Sequence, residues 1–555
     1  MSADLALLYG DRAAEVQAAL DAIAEAYRAR IVAAQRHARG FDQTDAVVIA
    51  YPDHLQRAGE APLATLHRWL LAHVSGAVST VHVLPFHPST SYEGYAITDY
   101  EGVEPRFGTW DDLHRMHDDF ELMFDFVLNH CWASHPWFTQ FRRDEAPGRS
   151  FFITEADPHA AWLDGVYRAR SSPLLHPVET AKGVRQVWTT YSEDLVDLDW
   201  REPALCVEMC RVLLDAVAHG ARVIRLDAFV YIWKKAGTRC LDLPEGQALI
   251  RVFQRLLAQA GGEASAILPS ITNVGQDRNV LYFGDGGARQ ADLIYNLPLS
   301  ALLLQALYAH DTAHLEAWMR ALPPAPSGCA YLNLTASHDG VGLTWLAGLL
   351  PEREIAALIA GASERGALVS LRKSTRVADE RPWELNATYF HACAPGRGED
   401  GARHVDRFLA TQAVLLGLRG VPALYLTSLL AGTNDYQGVE ASGDKRAINR
   451  GRFHLDAWEK RAANARSAEA QVLARLTAML RARRESTAFH PEGAQEILRA
   501  PPGVFAFVRT SPDRRERMLC VTSFREDPVA LEANAFPGFA LPRSLSPYAA
   551  LWIAG

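Results

Sequence analysis

Carboxylates and histidines gather where apolar runs of this sequence end. Asp125-Phe126-Val127-Leu128-Asn129-His130 closes one run, Ile224-Arg225-Leu226-Asp227-Ala228 a second and Ala336-Ser337-His338-Asp339-Gly340 a third. Charged groups at the ends of hydrophobic strands are costly to bury unless they are paired or put to use. For one such stretch alone, a structural ion pair or a cap is the commoner explanation. Three in order, on the third, fourth and seventh of eight runs, are hard to explain that way. Rival candidates fare worse. Cys206 and Cys210 are helically spaced without a second ligand pair, so they read as core. His87, His135 and His176 lack metal-ligand spacing. Gly284-Asp285-Gly286-Gly287 reads as a turn rather than a phosphate loop, and the basic cluster 481–484 as the solvated end of a helix.

The elements that must position these groups follow from periodicity. Val16, Leu20, Ile23 and Tyr27 predict a helix through residue 37. Eight short apolar runs come next, at 46–51, 81–86, 122–128, 221–226, 264–268, 293–297, 330–334 and 423–426. Continuous apolarity marks strands buried on both faces, and helical stretches between them imply parallel pairing. Eight strand-helix units predict a (β/α)8 TIM barrel. An open doubly wound sheet fits the same pattern, but no Gly-rich dinucleotide fingerprint supports it. Loop insertions are expected after strands 3 and 7, and a small C-terminal antiparallel β domain from strands near 504–508, 518–523 and 548–552. The expected division is a barrel of 1–130, 201–339 and 405–490. Insertions at 131–200 and 340–404 and a tail domain at 491–555 make up the rest.

Composition narrows the class. Of 555 residues, 56 are basic and 65 acidic, a net charge of −9, which disfavours binding to nucleic acid. The richest apolar stretch, 408–430, is broken by Arg419, Gly420 and Pro422, so no membrane span is expected. The start lacks a basic-then-apolar secretory layout, since Asp11 and Glu15 follow at once. Seven scattered cysteines argue against a disulfide framework. A soluble, cytoplasmic, enzyme-sized protein is the expectation.

The combined motifs resemble glycoside hydrolase family 13, the α-amylase clan, and within it the branch of sucrose and glucosylglycerate phosphorylases. The likeness rests on Leu84-Pro85-Phe86-His87-Pro88-Ser89 with Asp99-Tyr100, on 125–130 followed by Ser134 and Pro136-Trp137-Phe138, and on 191–198. It continues through 224–228, Asn273-Val274 with Tyr282-Phe283-Gly284, 337–340, 420–425, Asn434-Asp435-Tyr436 and Ile448-Asn449-Arg450. The resemblance implies that Asp227 is the nucleophile of a covalent β-glycosyl intermediate, held ionised by Arg225. It implies that Asp339 grips sugar hydroxyls and stabilises an oxocarbenium-like transition state. His130 and His338 become sugar-hydroxyl ligands, Tyr95 an aromatic platform and Arg450 a basic residue lining the same pocket. Taken singly, the two histidines are equally well read as satisfied strand-end residues. The substrates implied are an α-glucoside or glycosyl phosphate and inorganic phosphate. With the strand-end carboxylates committed to sugar chemistry, neither a metal nor an organic cofactor is expected.

Two positions depart from the pattern. The fifth strand of this branch ends in a Glu just before Thr-Asn-Val, and that Glu is the general acid/base. Here the stretch reads Pro269-Ser270-Ile271-Thr272-Asn273-Val274, and Ile271 moves no proton. Glu263 and Asp277 are the nearest carboxylates in sequence, and neither is an evident substitute. Tyr92 stands where the family usually has an Asp that binds outer glucose hydroxyls. Acid/base catalysis supplies ~10²–10⁴-fold, so the loss falls on leaving groups that need a proton. Phosphate and carboxylate leave without one. Two functions follow: a retaining glucosyl-transferring phosphorylase with altered acid/base equipment, or a degenerate barrel that binds a sugar or sugar phosphate without turnover.

Overall fold

A computed structural model describes residues 1–36, 40–170, 172–271, 273–284, 290–373, 380–532 and 535–555. All eight apolar runs are strands: β1 Val47–Ala50, β2 Thr80–Val83, β3 Glu121–Val127, β4 Ala221–Asp227, β5 Ala266–Pro269, β6 Leu293–Tyr295, β7 Ala330–Leu334 and β8 Val421–Tyr425. They form one hydrogen-bonded sheet in the order β5-β4-β3-β2-β1-β8-β7-β6. Apart from β5 and β6, which end the order, each strand neighbours its sequence neighbour, and β1 pairs with β8, the order of a (β/α)8 barrel. The ladders of β3 with β4, β4 with β5, β1 with β8 and β7 with β8 are parallel. Among the described residues, no ladder joins β5 and β6. There Asp292 makes the join: its amide donates to the Ile267 carbonyl at 2.9 Å, and its carboxylate accepts from the Ile267 amide at 2.6 Å.

Two expectations are corrected at element ends. The N-terminal helix divides into Ser2–Tyr9 and Ala13–Ala34 at Gly10, whose φ of 53° breaks the helical path. The face it buries is Val16, Leu20, Ala24 and Ile31, so Ile23 and Tyr27 sit off its centre, and residue 37 lies outside the described residues. Strand β8 starts two residues before the apolar run and carries Pro422 opposite Asn333.

By internal contacts the chain divides into two units. One comprises Met1–Arg39, Val83–Ile294 and Arg372–Arg381, and the other Gly40–His82, Tyr295–Leu371 and Pro382–Gly555. In the first, the segment after β3 returns antiparallel: His130–Trp132 pairs with Leu195–Asp197, and Gly183–Trp188 pairs with both Thr154–Glu155 and Leu175–Thr180. Ile153, Val166, Leu174, Trp188 and Cys240 give that insertion its own small core. In the second, β9 Ala494–Ile497, β10 Val504–Thr510, β11 Arg517–Ser523 and β12 Ala550–Ala554 form the expected antiparallel sheet, with β9 an extra edge strand. Its core is built on Val504, Ala506, Val508, Leu519 and Val521. All seven cysteines are unpaired and buried. Among the described residues, no helix is long and apolar enough to cross a membrane.

Candidate active site

Residues 225 and 227 lie two apart on β4, and the period of a strand puts both side chains on one face. The Arg225 guanidinium donates to Asp227 Oδ1 at 2.9 Å and to Asp125 Oδ1, which stands directly opposite Arg225 in the β3–β4 register. It also donates to Ser270 Oγ at 3.2 Å and to the Tyr95 hydroxyl at 3.4 Å. The arginine is therefore a buried hub between two carboxylates. The Asp125 side chain is wholly enclosed, whereas that of Asp227 keeps 15% of its surface open, so Asp227 is the carboxylate a ligand can reach. Tyr95 is positioned by Gly94, where φ is 94° and a Cβ would come within 2.6 Å of the Pro85 carbonyl oxygen. Ile271 follows Ser270 at the end of β5 and is buried. The Tyr92 side chain and residues 285–287 of the expected turn lie outside the described residues.

His130 begins the short strand paired with Asp197. Among the described residues its Nε2 is buried without a partner at hydrogen-bond distance, and its ring meets Tyr191 edge-on at 5.1 Å. Burial pulls its pKa down to about 4, with Lys234 adding to the fall and Asp197 opposing it. The imidazole is neutral at neutral pH and can exchange hydrogen bonds with a hydroxyl. Unfolded, it titrates near the ordinary value of about 6.5, so between pH 6.5 and 4 the unfolded chain binds more protons and stability falls as pH falls. About 2 kcal/mol should go between pH 7 and 5 on this account. His130→Asn should remove that share of the slope in urea titrations; an unchanged slope would assign it elsewhere, His135 being also held near 4 by burial.

Beside it lies a buried charge network that sequence reading missed. Lys234 Nζ donates to Asp197 Oδ2 at 2.5 Å, to Asn129 Oδ1 at 2.8 Å and to the Tyr231 carbonyl at 2.6 Å. Asp197 also accepts from the Thr190 amide at 2.8 Å and from Asn129 at 3.2 Å. The ammonium supplies the positive charge this oxygen-rich cage requires. Lys234→Ala is accordingly expected to cost about 3–5 kcal/mol, because it leaves Asp197 buried and uncompensated. A loss below about 1 kcal/mol by denaturant titration would show that water reaches the carboxylate. Among the described residues, one group of side chains is close enough to share an ion: His310, Glu399 and Glu526. Glu399 is already committed to Arg365 and Arg407, each at 3.1 Å.

The second unit builds its own cluster after β7. Arg450 Nε donates to the His338 carbonyl at 2.8 Å, and Asn449 donates to the carbonyls of Ser337 and Asp339 at 3.2 and 3.0 Å. This fixes the backbone that carries His338 and Asp339. Gly340 is required next, since a Cβ there would meet the Leu385 carbonyl oxygen at 2.4 Å. The unexpected partner is Arg446. It holds Asp339 at 2.6 Å and forks onto buried Glu384 at 2.7 and 2.9 Å. Burial works against its charge, and Asp339 and Glu384 more than offset this, holding the guanidinium protonated. Arg446 stands four residues before Arg450, so the basic Lys445-Arg446 pair was a usable signal. Glu384 gave none, lying 62 residues away in sequence.

Two clusters thus collect the expected residues, Asp227, Arg225, Tyr95, His130 and Ile271 in one unit and Asp339, His338 and Arg450 in the other. Residues 76–296 match the family model described as alpha amylase, catalytic domain. Over 522 residues the chain is 39% identical to a glucosylglycerate phosphorylase of Spirochaeta thermophila, covering 93% of this chain and 87% of that protein. A glucosylglycerate phosphorylase of Escherichia coli is 34% identical, with 86% and 85% covered. The crystal structure of sucrose 6F-phosphate phosphorylase from Thermoanaerobacter thermosaccharolyticum superposes with a TM-score of 0.74 at 25% identity, covering 87% of this chain and 94% of that one.

Proposed function

Because the chain belongs to the glucosylglycerate and sucrose phosphorylase branch of the α-amylase family, we propose that it transfers an α-glucosyl unit to and from phosphate with retention. The observation that carries this is the Arg225–Asp227 contact at 2.9 Å on the fourth barrel strand, with Asp227 the more open of the two carboxylates Arg225 holds. In this reading an Asp227 oxygen attacks C1 of the donor sugar, and the bonding pair leaves with the departing oxygen. Phosphate or another acceptor oxygen then attacks C1 from the vacated face and frees the carboxylate. Asp339 and His338 hold sugar hydroxyls, Arg450 fixes the loop that carries them, and His130 offers a neutral imidazole. Tyr95 forms the platform. Position 271 supplies no proton, so donors with anionic leaving groups, glycosyl phosphates above all, are preferred over alkyl glucosides. The segments 131–200 and 340–404 are assigned to shaping the acceptor side, 491–555 to a supporting domain, and the protein to the cytoplasm.

The test is intact-protein mass spectrometry after incubation with α-glucose 1-phosphate. A hexosyl adduct that maps to Asp227 is expected. A second reading, a sugar-binding barrel without turnover, is favoured by Ile271, which is buried and apolar where the resemblance implies a proton donor. Sugar phosphate binding with neither adduct nor exchange of phosphate would establish it.

A further inference from the structure

Asn129 stands between a lysine, a carboxylate and a histidine, and the first two leave its amide one orientation. Lys234 Nζ only donates, so the side-chain oxygen of Asn129 faces it, at 2.8 Å. The Asp197 carboxylate only accepts, so the amide nitrogen faces that group, at 3.2 Å. The reverse placement would set donor against donor and acceptor against acceptor. Neither neighbour is free to turn away. Asp197 also accepts from the Thr190 amide at 2.8 Å and from the Thr190 hydroxyl at 2.5 Å. Lys234 is tied by the Tyr231 carbonyl at 2.6 Å. The second N–H of the Asn129 amide is therefore left for His130, whose Nδ1 lies 3.3 Å away. The backbone of the pair is clamped as well. Tyr100 donates its hydroxyl to the carbonyls of Val127 and His130 at 3.0 and 3.2 Å, and the Leu198 amide donates to the Asn129 carbonyl at 2.9 Å.

An amide N–H only donates, so His130 Nδ1 accepts and carries no proton. Burial keeps the imidazole neutral, and its single proton is then on Nε2. Among the described residues that nitrogen is buried with no partner at hydrogen-bond distance, and the Tyr95 backbone attracts the ring N–H from farther off. The ring meets Tyr191 edge-on at 5.1 Å, and the Asp227 charge reaches the Tyr191 hydroxyl. A buried N–H without an acceptor is costly, and an incoming oxygen offsets that cost. We propose that Asn129, oriented by Lys234 and Asp197, is a positioning residue that fixes the Nε2–H tautomer of His130, so that the ring meets the bound sugar as a hydrogen-bond donor. The proposal rests on the glucosyl-transfer reading above, in which His130 faces the donor sugar, and adds a rule of specificity to it. The sugar group facing His130 must offer an oxygen lone pair. A protonated amino group in its place has none and is refused.

Nitrogen-15 NMR of protein labelled at its 20 histidines reads the tautomer, because protonated and bare ring nitrogens resonate far apart. His130→Gln identifies the His130 signals by their loss. At neutral pH the wild type should show a bare Nδ1 and a protonated Nε2; a protonated Nδ1 would overturn the proposal without recourse to any variant. Asn129→Ala removes the donor without adding charge and should leave the ring a mixture of both tautomers. Asn129→Asp sets an acceptor beside Nδ1 and should draw the proton there. A merely structural asparagine would lower the unfolding temperature and leave the tautomer alone, so Nε2–H kept in full by the folded variants would overturn the positioning role. Addition of α-glucose 1-phosphate should shift the wild-type Nε2 signal, and Asn129→Asp should weaken its binding about five- to a hundredfold. An Nε2 signal that stays still in a protein forming the Asp227 adduct would overturn the donor assignment. A signal that moves in a protein forming no adduct supports that assignment and counts against the glucosyl-transfer reading alone.

Discussion

Asp227→Asn is expected to abolish glucosyl transfer, by on the order of 10⁴-fold or more in kcat/KM, while leaving the fold intact. An amide cannot form the glycosyl ester, yet it keeps the volume of the carboxylate and one acceptor oxygen for Arg225. The guanidinium would not be orphaned, because Asp125 and Ser270 still accept from it. That redundancy predicts a denaturation midpoint close to that of the wild type, although the substitution touches a buried ion pair. The two measurements belong together: turnover with α-glucose 1-phosphate, and thermal unfolding. Survival of a tenth of the turnover in a folded variant would point to a different nucleophile and sink the double displacement.

Ile271→Glu should change which leaving groups the protein tolerates. A carboxyl there would supply a proton donor, with an expected gain on the order of ten- to a thousandfold toward alkyl glucosides and little gain with glucose 1-phosphate. Ile271 is 1% exposed, so the new acid enters a buried place and burial raises its pKa. The donor must be protonated in the bond-breaking step, so alkyl glucoside cleavage should fall as pH rises through that pKa. A stability loss is expected as well, since a polar group replaces an apolar one in a packed site. Equal stimulation of both donor classes would refute the argument from leaving-group basicity. No stimulation of either, in a folded variant that binds sugar, would favour the barrel without turnover.

The eight strands were legible because both faces of each are covered, which forces unbroken apolar runs. The start of β8 was less legible, because a proline is rare in a central strand and Pro422 nevertheless stands in the ladder opposite Asn333. The Arg225–Asp227 pair was legible because two residues along one strand fix a shared face. Lys234 with Asn129 was not, since 105 residues separate them and only the fold brings them together. Glu384, 62 residues from Arg446, escaped for the same reason. Local patterns carry the frame and the groups at strand ends, while the partners that neutralise those groups come from distant returns of the chain.

The join between β5 and β6 bears on how the protein opens. Strand β5 is laddered to β4 along one edge, and Asp292 fastens its other side at Ile267. Amides locked in the β3–β4 ladder exchange with solvent through the more global openings, whereas those facing the seam need only the Asp292 latch to release. Deuterium should therefore enter Ile267 and its neighbours before it enters Arg225, and Asp292→Ala should widen that difference. The strand leading to position 271 is thus laddered along one edge and latched at the other. A side chain can be exchanged at its end with the distortion spent in the seam, and the Arg225 hub beside it keeps its geometry.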